Sequence, residues 1–136
     1  MVKPIVKDVL FLGRKSEKAD KNDIQVITDL RDTLAANRES CIGMAANMIG
    51  YSKRIIIAAS ELGDIVMVNP VIVSKSGRYE TEEGCLSLVG VRKTTRFTNI
   101  EVRYLDENFT ARKGKFSGLI AQVIQHECDH LEGILI

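Results

Sequence analysis

The chain has 136 residues, 45% of them hydrophobic, enough for one domain spanning residues 1–136 to bury a core without disulfide or metal staples. Nineteen basic residues against eighteen acidic ones leave a formal charge of +1, so neither nucleic acid nor an anionic membrane surface is expected as a partner. Three cysteines form an odd set that suits a reducing cytoplasmic setting better than a secreted scaffold, and the apolar piece Val9–Leu12 is too short for a signal-peptide core or a membrane span.

In chain order, residues 1–21 read as an extended arm and then a polar loop over 14–21 with a solvated surface. Asn22 can cap a helix that carries Gln25 three positions later, a capping-box pattern. Ile24, Ile27, Leu30 and Leu34 form its apolar stripe, and it is expected to end near Asn37. Residues 41–50 are small and glycine-bearing, so the chain there can run close to a ligand; taken alone, they read as a tight loop before a strand. Residues 53–60 and 64–73 are β-branched runs joined by Glu61-Leu62-Gly63 and are expected to pair, with Pro70 placing part of the second at an edge. A turn at Ser76-Gly77 and a short strand then lead to Glu82-Glu83-Gly84-Cys85-Leu86-Ser87, which places Cys85 where strand gives way to loop. Residues 89–97 read as a further strand, with Arg92, Lys93 and Arg96 on a solvated face. Ile100, Val102 and Tyr104 alternate before a turn at Asp106-Glu107-Asn108 and a last strand over 109–113. Strands flanked by a helix at each end imply an α+β fold: small mixed or antiparallel β-sheets around a C-terminal helix, with one N-terminal helix.

The richest stretch is the last, Ser117 through Gly133, which holds the only two histidines of the protein, His126 and His130. Their HExxH spacing stacks both imidazoles on one helical face, where they can reach a single metal ion. Between them, Glu127 is placed to take a proton from a water whose acidity a cation has raised. Ser117 is a plausible cap and Gly133 a stop, while Leu119, Val123, His126 and His130 share one stripe expected to face inward. The competing reading is two core or surface histidines paired by chance. A catalytic ion of this kind usually takes three protein ligands. Cys128 lies about 200° around the helix from His126 and faces away, as a small buried hydrophobe. Cys85 is the better third ligand, beside Gly84 and an acidic, hydroxyl-bearing corner, and Cys41 is its weaker rival. A Cys and two His suit Zn(II), Fe(II), Co(II) or Ni(II).

Together, Glu83-Gly84-Cys85-Leu86-Ser87, Gln125-His126-Glu127-Cys128-Asp129-His130 and Cys41-Ile42-Gly43-Met44-Ala45-Ala46-Asn47-Met48 resemble the three motifs of peptide deformylases, in that family's order and over most of the chain. The resemblance implies one divalent metal held by Cys85, His126 and His130, with Fe(II) favoured, and Glu127 as the catalytic base. It also implies removal of the formyl group from formyl-methionine at peptide N-termini, including ribosome-associated nascent chains. The Leu86 backbone N–H would donate to the oxyanion, and Ile42, Gly43, Arg92, Gln122 and Val123 would line the substrate groove. Three positions depart from the pattern. Cys41 stands for a glycine, Met48 for the glutamine whose amide donates to the oxyanion, and Gln122 for an apolar residue of the methionine pocket. Loss of one oxyanion donor costs about 100- to 1000-fold in turnover, so the rival expectation is a catalytically impaired protein that holds metal and a peptide end.

Overall fold

A computed structural model describes residues 1–136 and shows one five-stranded antiparallel sheet in the order β1-β2-β3-β4-β5 with helices packed against it. The α+β class is as expected, although a single continuous sheet replaces several small ones. Its strands are β1 (Gly43–Ala45), β2 (Ile55–Ala58), β3 (Ile65–Cys85), β4 (Leu88–Leu105) and β5 (Ala111–Ser117). Three α-helices accompany it: α1 (Val9–Leu12), α2 (Ile24–Ala36) and α3 (Gly118–Leu131). The N-terminal arm therefore contains one helical turn at its apolar piece, where Asp8 caps α1 by accepting the Leu10 N–H.

β2 is buried along its whole length because α2 and α3 both pack against it, which explains its unbroken apolar run Ile55-Ile56-Ile57-Ala58. Each isoleucine taken fully out of water contributes about 1.5–3 kcal/mol of burial free energy. α2 faces this core with Val26, Ile27, Leu30 and Leu34, whereas Ile24 is exposed. The cap also differs from expectation. Asp20, not Asn22, begins the helical segment: its carboxylate accepts the Asn22 N–H while Asp23 accepts the Asp20 N–H across a short 3-10 turn.

The expected turn at Ser76-Gly77 is absent, because Ser76 and Arg78 stay paired with Asn99 and Phe97 and β3 runs on as one long arm. Its partner β4 is equally continuous across residues 88–105. Pro70 falls where the ladder shifts between Val68 and Val71, just beyond the last residue of β3 that pairs with β2. A proline lacks the N–H a regular ladder would use, so a bulge accommodates it. Leu86 and Ser87 close the β3–β4 hairpin, and Cys85 is the last residue of β3.

α3 follows β5 directly. Ser117 makes no side-chain cap hydrogen bond, but Gly133 ends the helical segment at φ +76°, a conformation that favours glycine. Its apolar stripe is narrower than expected: Val123, His126 and His130 are buried, while Leu119 is exposed. The C-terminal carbonyls of α3 are tied to the core, with Asn47 Nδ2 donating to the His130 carbonyl at 2.9 Å and Arg54 Nη1 to that of Leu131 at 3.2 Å. Both bonds satisfy acceptors that a helix end leaves open.

Candidate metal centre and active site

The fold brings the tip of the β3–β4 hairpin against the middle of α3. Cys85 Sγ and one ring nitrogen from each of His126 and His130 lie within 4.8 Å of one another. The two Nε2 atoms are 3.1 Å apart, and the rings meet edge to face with centroids 4.9 Å apart. His130 is fully buried and His126 nearly so. Cys41 is not part of this trio but lines the adjoining pocket, and its Sγ contacts the Gly43 carbonyl at 2.7 Å. Cys128 packs against the hydrophobic core, where burial pushes its thiol up to about 12.

A polar network absent from the sequence reading orients His126. Glu83 Oε1 lies 2.8 Å from its Nδ1, which donates to it, so Nε2 is the ring nitrogen that faces the thiol and His130. Arg96 donates to Glu83 through Nε and Nη2 at 2.7–3.1 Å and to Asp129 Oδ2 through Nη1 at 2.7 Å. Gln122 Nε2 completes the set, 2.8 Å from Glu83 Oε2. Arg96 is only 3% exposed, which corrects the expectation of a solvated strand face. Glu83 is held at about 2: burial opposes the charge, and the hydrogen bonds from His126, Arg96 and Gln122 outweigh it. For His126, burial likewise works against the proton, yet Cys85 and Glu83 raise it to about 10. His130 falls to about 3 because it is buried and faces His126.

These residues fit a divalent ion. Two imidazole nitrogens and a thiol converge in a buried space where only one ring can carry a proton, and His130 Nδ1 has no hydrogen-bond partner. One sulfur and two nitrogens suit Zn(II), Fe(II), Co(II) or Ni(II) more than Mg(II) or Ca(II).

Glu127 is almost completely buried, and burial raises its carboxyl to about 7. Its Oε1 has no partner in the chain. Gly43 approaches from β1 so closely that a Cβ there would lie 2.9 Å from Glu127 Oε2 and 2.5 Å from Val123 Cγ1. Only glycine leaves that gap open. The cavity beside Glu127 encloses about 500 Å³ and is lined by Ile42, Gly43, Met48, Leu86, Gln122 and Val123 together with Cys85, His126 and Glu127. His130 lies deeper, behind this lining. Arg92 is also outside it, donating instead to the Val89 carbonyl at 3.4 Å. Met48 is buried, and its Sδ turns back to accept the Ala45 N–H at 3.4 Å. The Leu86 N–H, in the hairpin turn, donates to no other group of the chain.

No helix is long and apolar enough to cross a membrane. The sequence profile of the family described as "Polypeptide deformylase" matches residues 5–136. The chain is 60% identical to a peptide deformylase of Clostridium beijerinckii across the full length of both proteins. It is 40% identical to that of Pelotomaculum thermopropionicum, covering 90% of this chain and 79% of the other. Among solved structures, the class I type b peptide deformylase of Acinetobacter baumannii superposes with a TM-score of 0.89 at 33% identity, covering 99% of this chain and 97% of that one. The same relative with Met-Ala-Ser bound superposes equally well, at a TM-score of 0.89 and 31% identity. The sequence match spans the hairpin tip, the glycine-bearing strand and the two-histidine helix alike, and the chain belongs to the polypeptide deformylase family, whose members are metal-dependent deformylases.

Proposed function

We propose that this deformylase acts on formyl-methionine at the N-termini of peptides, nascent chains at the ribosome among them, in the cytoplasm, with Fe(II) as its working metal. The observation that carries this reading is a buried carboxylate with an open oxygen, Glu127, placed one residue from the Cys85–His126–His130 cluster and on the wall of a cavity of peptide dimensions. That an Acinetobacter relative binds Met-Ala-Ser supports the choice of substrate.

Cys85, His126 and His130 would hold the ion, which when bound supplies Lewis acidity toward water and the formyl carbonyl. Glu127 Oε1 takes the proton of the attacking water and returns it to the leaving amine. A carboxyl near 7 is matched to both halves of that task. Gly43 lets β1 pack directly against Glu127 and Val123 at the cavity wall, and the free Leu86 N–H is available to the developing oxyanion. Glu83 accepts from His126 Nδ1, so Nε2 is the nitrogen that would give up its proton and face the ion. Ile42, Leu86 and Val123 supply the apolar wall against which the first side chain rests. The rival reading of impaired turnover rests on Met48 alone.

Turnover of formyl-Met-Ala-Ser by anaerobically prepared Fe(II) protein tests the proposal. Release of formate with kcat/KM in the usual enzyme range, about 10⁴ M⁻¹s⁻¹ or more, is expected. Binding of Met-Ala-Ser without formate release would favour the impaired reading instead.

A further inference from the structure

We propose that Gln122 is a specificity-determining residue: it equips the pocket to hold a first side chain of methionine length that ends in a hydrogen-bond acceptor. Methionine sulfoxide is the member of that class which arises by oxidation of formyl-methionine itself. The inference rests on the deformylase reading above and names a substrate for the same site.

Gln122 precedes His126 by four residues of α3, about 6 Å along the helix axis, and lines the cavity with Leu86, Leu119 and Val123. The thioether sulfur of a methionine reaches about 5 Å from its own amide nitrogen at ~1.5 Å per bond. A side chain anchored by its formamide at the His126 end therefore brings its tip to Gln122, while its methylenes lie on the apolar wall. The orientation of the carboxamide follows from chemistry. Its partner, Glu83 Oε2, belongs to a carboxylate already engaged by Arg96 and by the His126 N–H, so it only accepts, and Nε2 must face it. One N–H of Gln122 is thereby used. The second N–H and Oε1 bond to nothing else in the chain, and the side chain is half-buried at the cavity wall. A thioether is a weak acceptor and leaves that N–H unpaired, whereas a sulfoxide oxygen pairs with it.

The test compares kcat/KM for formyl-Met-Ala-Ser, formyl-norleucine-Ala-Ser and formyl-Met(O)-Ala-Ser in the wild type and in Gln122→Leu. The sulfoxide-to-norleucine ratio is expected to fall about 5- to 10-fold in the variant, mainly through KM, as loss of one hydrogen bond dictates. A role confined to steadying Glu83 would slow all three peptides together. A ratio that stays within two-fold overturns the proposal. Calorimetry of the product peptides on the wild-type protein needs neither the variant nor turnover: Met(O)-Ala-Ser should bind at least as tightly as norleucine-Ala-Ser, and weaker binding overturns it. Should the wild type prefer the sulfoxide product yet hydrolyse no formyl peptide, the deformylase reading fails and the assignment of Gln122 stands.

Discussion

Replacing Arg96 by methionine should expose how much of the metal site is held by charges that are not ligands. The guanidinium is 3% exposed and makes three contacts of 2.7–3.1 Å to Glu83, itself 8% exposed, and one of 2.7 Å to Asp129. Breaking a buried pair by removing one partner costs about 3–5 kcal/mol, because the other charge is left uncompensated. Glu83 would still accept from His126 and Gln122, which puts the expected loss at the lower end, about 3 kcal/mol. For a chain of this size that corresponds to a fall in Tm of roughly 10–15 °C. Glu83 would also swing toward water and loosen its hold on His126 Nδ1, so zinc affinity should drop about 10- to 100-fold. Urea unfolding and zinc titration measure the two effects separately. Adding Glu83→Gln to Arg96→Met removes the stranded charge, so the double variant should be more stable than the sum of the single losses implies. A loss below about 1 kcal/mol, or strict additivity in the cycle, would refute this account of the network.

Cys85→Ala, His126→Ala and His130→Ala should each abolish stoichiometric metal by elemental analysis, whereas Cys41→Ala and Cys128→Ala retain it; metal lost from Cys128→Ala alone would overturn the ligand assignment. Glu127→Ala should keep the metal and lose about 100- to 10,000-fold in turnover, since its role is proton transfer. Met48→Gln should raise kcat more than it changes KM, by at most about 100- to 1000-fold, once its amide turns from the Ala45 N–H toward the pocket; unchanged high activity would show that another group stabilises the oxyanion. Burial opposes the charge of Asp29, but hydrogen bonds from the Tyr51 hydroxyl, the terminal ammonium and Gln25 hold it at about 2 against an ordinary 3.8. Its contribution to stability is therefore full above the ordinary value and lost as pH falls through about 2, and Asp29→Asn should flatten the stability profile across that acidic window.

Local pattern made the ends of this protein legible. The i, i+4 histidines, the glycine stop after α3 and the β-branched runs all carry their structure in a few neighbouring residues. Cys85 at a strand end was equally readable from the glycine beside it. Arg96 was not, because its direct cross-strand partner is Tyr79 and its side chain reaches along the hairpin to Glu83. No spacing rule encodes that diagonal. The unbroken path of β3 through Ser76-Gly77 was also hidden, since a glycine that usually marks a turn instead takes a left-handed backbone inside a long ladder. Leu119 misled for a related reason: it keeps the helical period of the buried stripe, but the cavity opens before its turn of α3 is reached.

The hairpin that carries Cys85 is mostly exposed along its middle, over residues 71–82 of β3, although Glu83, Ser87, Leu88 and Arg96 are buried near its tip. Its tip meets α3 through Cys85 and through the polar network of Glu83 and Arg96, with no helix covering the exposed stretch behind it. Such a segment opens at a lower free energy than the domain unfolds. Amide hydrogens near the turn should therefore exchange with solvent through local opening, while those of β2, enclosed by α2 and α3, exchange only when the whole domain unfolds. An ion held by Cys85, His126 and His130 would bridge these two regimes, joining a largely exposed hairpin to a buried helix. Chelation should accelerate exchange at residues 84–90 well before it reaches β2.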